Sequence, residues 1–375
     1  MGPMTITRLA DGRELFYFDD AFPSGGAAGT AGPPASRAVP DERQLPERPL
    51  PGELRFDVLT GEWVVVAAHR QDRTHLPPAD ECPLCPSSGG RRSEIPAPDY
   101  HVAVFENRFP SLGPDPVPAP ADPGWGTAAP AGGRCEVVAF TSSHTGSFAA
   151  LGSARVRTVI DALAQRTGAL SALPGVLQVF CFENRGPEIG VTLHHPHGQI
   201  YAYPYITPRA AVMARAARRH YDDAAGRDTL LASVLRRERQ DGSRMVLEGQ
   251  LFSAYVPFAA RWPLEIHLVP HRHVADLAGL SGPEREELAV LYPELLGRLD
   301  ALYGSPTPYI AAWHQAPVDA YYRPACCLHL QVTSPRRAAD KLKYLAGSEA
   351  AMGAFINDTV PEQMAARLRE VAGRG

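Results

Sequence analysis

The order of hydrophobic and polar positions predicts short strands broken by a few helices. Residues 5–19 alternate well enough for a hairpin turning at Asp11-Gly12. Residues 56–69 predict a second hairpin, with Thr60-Gly61 at the turn. Further strands are predicted from Cys135, over 176–182 and over 198–206, and again in QLFSAYVPF, PLEIHLVP, PYIAAWH and CCLHLQV. Helical spacing predicts helices over 153–172, about 209–239 and about 283–303. Residues 23–51 are rich in Pro, Gly and Ala and read as a mobile or extended arm; 113–133 read as a low-complexity surface insertion.

The elements recur in one order. Each half runs strand, strand, helix, strand, strand, with a Phe-rich or Tyr-rich turn early and a His-containing strand last. Each is α+β with antiparallel strands, and two such halves sharing a sheet make one pseudo-symmetric domain flanked by helices. The expected boundaries are 1–52 for the hairpin and arm, 53–208 for the first half, 209–345 for the second and 346–375 for a C-terminal helical segment.

Composition narrows the function classes. At 375 residues, 45% of them hydrophobic, the chain supplies a full core. A formal net charge of −4 offers no broad basic field for nucleic acid. No apolar run is long enough for a membrane span, and the first residues lack the apolar core of a secretory signal, so a cytoplasmic protein is expected. Six cysteines in so long a chain do not form a disulfide framework. Lys341 and Lys343 are the only lysines.

The strongest chemical signal runs from Gly190 to Tyr201, through His195-Pro196-His197-Gly198-Gln199. On a strand side chains alternate, so His195, His197 and Gln199 are expected on one face, successive members about 7 Å apart. Pro196 has no N–H and is expected at a sheet edge or bulge. One such His alone is ordinarily a satisfied core or surface imidazole. The cluster suggests instead a metal ligand, a nucleophile and an amide donor in a row. Cys82-Pro-Leu-Cys85 is half of a metal site, or a redox pair; no thioredoxin-like pattern surrounds it.

These residues, with Phe182-Glu183-Asn184-Arg185-Gly186 and Phe105-Glu106-Asn107-Arg108-Phe109-Pro110, resemble the galactose-1-phosphate uridylyltransferase family of the histidine-triad (HIT) superfamily, over about residues 55–345. The resemblance implies two HIT-like half-domains, a homodimer, and UDP-glucose or UDP-galactose and hexose 1-phosphates as substrates. It makes His197 a covalent nucleophile and Gln199 the residue that replaces a third histidine of the hydrolases, favouring transfer. It completes one structural zinc site per chain from Cys82, Cys85, His144 and His195, a closed tetrahedral set. It assigns Arg70 and Arg73 to phosphate across a dimer interface, Asn107 and Phe109 to uridine, and Asn184, Gly190 and Thr192 to ribose and phosphates. Lys343, Tyr344 and Glu349 resemble a hexose-phosphate segment, although Ser348 stands where a Tyr is usual.

Many relatives bind a second ion through one Glu and three His. The matching positions here are read as His273, His329 and Gln331, with no Glu in 209–214, so that second site is expected to be missing. Two other readings are open. One is a nucleotidyl-transferring phosphorylase acting on ADP-glucose or a dinucleoside polyphosphate; the other is a non-catalytic zinc-binding interaction module.

Overall fold

The computed structural model describes residues 2–21, 36–72, 76–114, 116, 118 and 126–372. The chain packs as two units. The first comprises Met1–Ser147, Gly152–Cys181 and Thr192–Val212; the second comprises Phe148–Leu151, Phe182–Val191 and Met213–Gly375.

Strands of the first unit are β1 (Met4–Arg8), β2 (Glu14–Phe18), β3 (Glu53–Asp57), β4 (Glu62–Val66), β5 (Val102–Glu106), β6 (Ala128–Pro130), β7 (Arg134–Ala139), β8 (Gln178–Arg185, up to 181 in this unit) and β9 (His197–Tyr203). The main sheet runs β1-β2-β5-β7-β9-β8, and β4-β3-β6 forms a small separate sheet. The pairs β2/β5, β5/β7 and β7/β9 are antiparallel. Every residue of β5 is buried, as its central place requires. Helix α1 (Ser153–Ser171) buries Val156, Val159, Ile160 and Leu163, the i, i+3, i+4, i+7 stripe of an amphipathic helix, and packs on β2, β5 and β9. Leu15, Tyr17, Leu84, Tyr100 and Phe105 form one core cluster together with Cys82 and Cys85.

Two segments differ from expectation here. Of the Pro-rich stretch 113–133, residues 128–130 form β6 because their backbone completes the free edge of β3. Of the predicted arm, residues 36–50 lie against the unit without regular structure. Arg37 is buried and pairs with Asp19 at 2.7 Å, so this stretch is held by ion pairs where apolar content is low. The rest of the arm, 23–35, lies outside the described residues.

In the second unit, α2 (Pro208–Asp223, from 213 in this unit) and α3 (Leu230–Asp241) replace the single predicted helix. Thr229 caps α3 by accepting from Ala232 N, which restarts the helix after the turn. Then follow β10 (Met245–Glu248), β11 (Phe252–Tyr255), β12 (Leu264–Pro270), α4 (Gly282–Tyr303), β13 (Tyr309–His314), β14 (His329–Ser334) and α5 (Pro361–Glu370). The strand order is β13-β14-β12-β11-β10. Ser281 and Glu284 close a capping box at the start of α4.

The internal repeat is visible as topology. β5-β7-α1-β8-β9 gives the strand order β5-β7-β9-β8, and β11-β12-α4-β13-β14 gives β11-β12-β14-β13. Both are strand, strand, helix, strand, strand, with the last strand inserted third. This is a largely antiparallel α+β fold. Among the described residues no helix is long and apolar enough to cross a membrane.

Glu183, on the part of β8 in the second unit, is buried. It accepts from Tyr309 Oη at 3.0 Å, while its Oε2 has no protein partner. Burial raises its pKa to about 8, against the opposing pull of Tyr309 and Arg185. Between its ordinary 4.5 and about 8 the native state keeps a proton that the unfolded chain has lost, so rising pH favours unfolding. Urea unfolding should therefore show stability falling from pH 5 to pH 8, this group contributing up to about 1.4 kcal/mol per pH unit. Glu183→Gln should flatten that slope; identical slopes in the two proteins would refute a neutral Glu183.

Candidate active site

The site begins with a turn. Cys82 and Cys85 follow a 3-10 turn at Ala79–Glu81 and are both buried. Cys85 Sγ lies 3.4 Å from His144 Nδ1 and 3.5 Å from His195 Nδ1; Cys82 Sγ lies 3.8 Å from His195 Nδ1. All four potential ligand atoms fall within 4.8 Å of one another. Ligands about 2.0–2.3 Å from a central ion form a tetrahedron with edges of about 3.3–3.8 Å, so the spacing suits a metal.

The chemistry of the donors suits one as well. Burial pushes the Cys82 thiol up to about 11, so a cation is needed to draw it into the thiolate form. Burial lowers His195 to about 4, keeping it a neutral ligand. Its Nε2–H is directed to the Thr141 carbonyl at 2.7 Å and to Tyr100 Oη at 3.0 Å, which leaves the Nδ1 lone pair facing the thiols. The cluster could hold a metal ion.

His195 does not lie on the strand. It sits in a bend, and β9 starts only at His197. The expected one-face row is therefore broken at Pro196, whose missing N–H delays strand pairing. Pro196 is not at a sheet edge either: β9 is an inner strand, and the proline stands just ahead of it. The bend allows His195 two roles. Its ring faces the cysteines, and its carbonyl accepts from His197 Nδ1–H at 2.7 Å. That bond fixes the His197 tautomer with Nε2 as the lone-pair nitrogen. Burial holds the His197 pKa below the usual imidazole range, so the ring is neutral at pH 7.

Gln199 follows on the same face of β9 as His197. Tyr201 Oη donates to its Oε1 at 3.3 Å, which leaves the amide Nε2 as the donating end. A cavity of about 430 Å³ opens on His197 and Gln199 and is also lined by Arg70, Asn107, Phe109 and Thr192. Arg43, Arg91, Arg92 and Arg108 add to its wall against only Glu81 and Glu94, an excess of positive charge suited to phosphate. Asn107 Oδ1 accepts from Phe109 N at 2.9 Å, and Arg70 donates to the Phe109 carbonyl at 3.0 Å. Arg70 thus reaches the cavity of its own chain's His197.

The remaining expected residues fall in other parts of the chain. Arg73 lies outside the described residues. Asn184 and Gly190 belong to the second unit, Gly190 ending a 3-10 turn with φ of 81°, a left-handed geometry that suits glycine. Lys343 and Glu349 pair with each other at 2.9 Å; Lys343 also bonds the Ile356 carbonyl, and Tyr344 is 74% exposed. His273 turns to the Cys326 carbonyl at 3.1 Å. His329 instead stacks on His314, their ring centroids 5.0 Å apart, and its Nε2 is 3.0 Å from Gln331 Nε2. Sequence reasoning missed Tyr100, Tyr201, Arg43, Arg91, Arg92 and His314. Tyr201 was recoverable, because it follows Gln199 by two on a strand. Tyr100 carries no local signal.

Family models match both halves of the chain from residue 51 onward. Residues 51–207 match the galactose-1-phosphate uridyl transferase N-terminal domain and residues 215–374 the corresponding C-terminal domain. The hairpin and residues 36–50 stand ahead of the matched region. A galactose-1-phosphate uridylyltransferase of Streptomyces lividans is 46% identical, covering 98% of each chain. One from Thermotoga maritima is 38% identical, covering 85% of this chain and 98% of its own. Among solved structures, a uridylyltransferase superposes with a TM-score of 0.75 at 30% identity, covering 86% of this chain and 99% of that one. An ADP-glucose phosphorylase from Arabidopsis thaliana shares the fold, with a TM-score of 0.63 at 21% identity. With both domain models matched and close relatives along nearly its full length, the chain belongs to the galactose-1-phosphate uridylyltransferase family.

Proposed function

We propose that the protein transfers UMP from UDP-glucose to galactose 1-phosphate through a uridylyl group carried on His197. The observation that carries this reading is the bond from His197 Nδ1–H to the His195 carbonyl, which leaves Nε2 to act in a cavity rich in arginine. The Nε2 lone pair attacks the α-phosphorus of UDP-glucose, a P–N bond forms, and the P–O bond to glucose 1-phosphate breaks. The leaving group is a phosphate monoester with a second pKa of about 6, so it departs at neutral pH without a strong acid. Galactose 1-phosphate then attacks the same phosphorus through a phosphate oxygen and releases His197. The Gln199 amide and the arginines stabilise charge on the equatorial oxygens, the main demand of phosphoryl-type transfer.

Cys82, Cys85, His144 and His195 would hold one zinc, and their closed set leaves no position for substrate, so its contribution is to fix the approach to β9. Lys343 and Glu349 are read as the hexose-phosphate segment, in which case their mutual ion pair must open on binding. By resemblance, the protein acts as a homodimer; a cytoplasmic location is the expectation drawn from its sequence.

Intact mass after incubation with UDP-glucose alone should show a UMP adduct, absent in His197→Ala, and kinetics with both substrates should be ping-pong. Labelling by ADP-glucose in preference to UDP-glucose, or sequential kinetics without an adduct, would sink the reading.

Metal analysis of protein purified without added metal should give about one zinc per chain and negligible iron. Cys85→Ser should lower both zinc content and thermal stability, and Tyr100→Phe should weaken zinc about tenfold while the fold persists. Full stability and activity in metal-free protein would overturn the zinc assignment.

A further inference from the structure

Residues 2–21 and 36–50 stand ahead of the family match, yet they are built into the wall of the His197 cavity. β2 pairs with β5 in the register Leu15↔Phe105 and Phe16↔Val104, so the hairpin lies against the strand that leads into Asn107 and Phe109. Arg13, after the hairpin turn, is 2% exposed; it donates to the Glu106 carbonyl at 2.8 Å and pairs with Glu94. Arg48 pairs with the Glu106 carboxylate and donates to the Asn107 carbonyl at 3.1 Å. Arg43 joins Asp41 at 2.8 Å to Glu94 at 2.9 Å, and with Leu45 it lines the cavity itself.

Burial makes these bonds matter. Glu106 is 4% exposed, and a buried carboxylate is costly unless a cation or donors meet it. Arg48 is that cation, and its own Nε is buried without a partner, so the bonds it does make must outweigh that loss. The same Phe-Glu-Asn-Arg motif recurs at 182–185, where Glu183 meets a tyrosine hydroxyl. The arginine clamp on 106–107 is thus supplied by the N-terminal segment and not by the motif. Asn107 is held at three points: its N–H donates to the Cys135 carbonyl at 2.8 Å, its Oδ1 accepts from Phe109, and its carbonyl accepts from Arg48. Its Nδ2 is left, among the described residues, as the side-chain donor without a protein partner.

We propose that residues 4–18 and 36–50 form a positioning element for the nucleotide pocket: Arg13 and Arg48 hold the Glu106–Asn107 backbone, and Arg43 and Leu45 complete the wall facing His197. This rests on the uridylyltransferase reading above. In a ping-pong reaction the nucleotide enters with the first substrate and is already bound when the second arrives. A lesion here should therefore act on the first half-reaction.

The test uses the full-length protein. Arg48→Met should weaken UDP binding, measured by calorimetry, about tenfold, and should raise KM for UDP-glucose similarly, with KM for galactose 1-phosphate changed less than about twofold. Because Arg48→Met strands the Glu106 charge, a double variant, Arg48→Met with Glu106→Gln, removes that charge. It should recover thermal stability while UDP binding stays weak, since the Asn107 carbonyl still lacks its donor. Wild-type-like UDP affinity in Arg48→Met, in an enzyme that still forms the UMP adduct, overturns this inference and leaves the function standing. So does recovery of UDP affinity in the double variant, which would reduce Arg48 to a stabilising role. Failure of the wild type to bind UDP or accept UMP overturns both.

Discussion

The site depends on one residue serving two masters. The His195 ring is clamped between two buried thiols on one side and the Thr141 carbonyl on the other, and its main-chain carbonyl holds His197. Any rotation of the bend at 195 moves His197 as well as the Cys/His cluster. A proline between the two histidines stiffens this coupling, since its φ is set by the ring. Cys82 and Cys85 sit in the same apolar cluster as Leu15, Tyr17 and Phe105, so the packing of the sheet reaches the His197 ring through a short chain of contacts.

Much of this was legible along the chain. The alternation in 197–203 and the i, i+3, i+4, i+7 stripe of 156–163 encode elements that packing then preserves. The residues around His197 were legible because their chemistry is compressed into five positions. What was not legible came from contacts between distant segments. Nothing near Tyr100 announces that its hydroxyl meets His195, 95 positions away. The arm 36–50 looked unstructured because its composition is Pro-rich, whereas ion pairs to Asp19, Glu94 and Glu106 hold it. Likewise the resemblance grouped His273 with His329, whereas the sheet brings His314 to it, at the paired position of the neighbouring strand.

The repeat shows how two similar histidines are given different surroundings. His329 and Gln331 occupy β14 as His197 and Gln199 occupy β9, and His329 Nδ1 lies 3.1 Å from the carbonyl two residues back, as His197 Nδ1 does. The difference lies at the other nitrogen. Gln331 turns its amide onto His329 Nε2, whereas Tyr201 draws the Gln199 carbonyl away and leaves its amide for the cavity. The His-x-Gln spacing alone thus does not fix where the amide points; on β9 the Tyr201 hydroxyl, two residues further along, holds the Gln199 carbonyl.

The distance in sequence between the cysteines and His195 has a consequence for synthesis. The partners Cys82 and His195 are 113 positions apart. At about 5–20 residues per second, the thiols emerge from the ribosome roughly 6–23 seconds before the imidazole that completes their cluster. During that interval the pair is open to oxidation and to whichever soft cation the cell offers first. Expression under copper or oxidative stress should therefore damage newly made protein more than the mature pool.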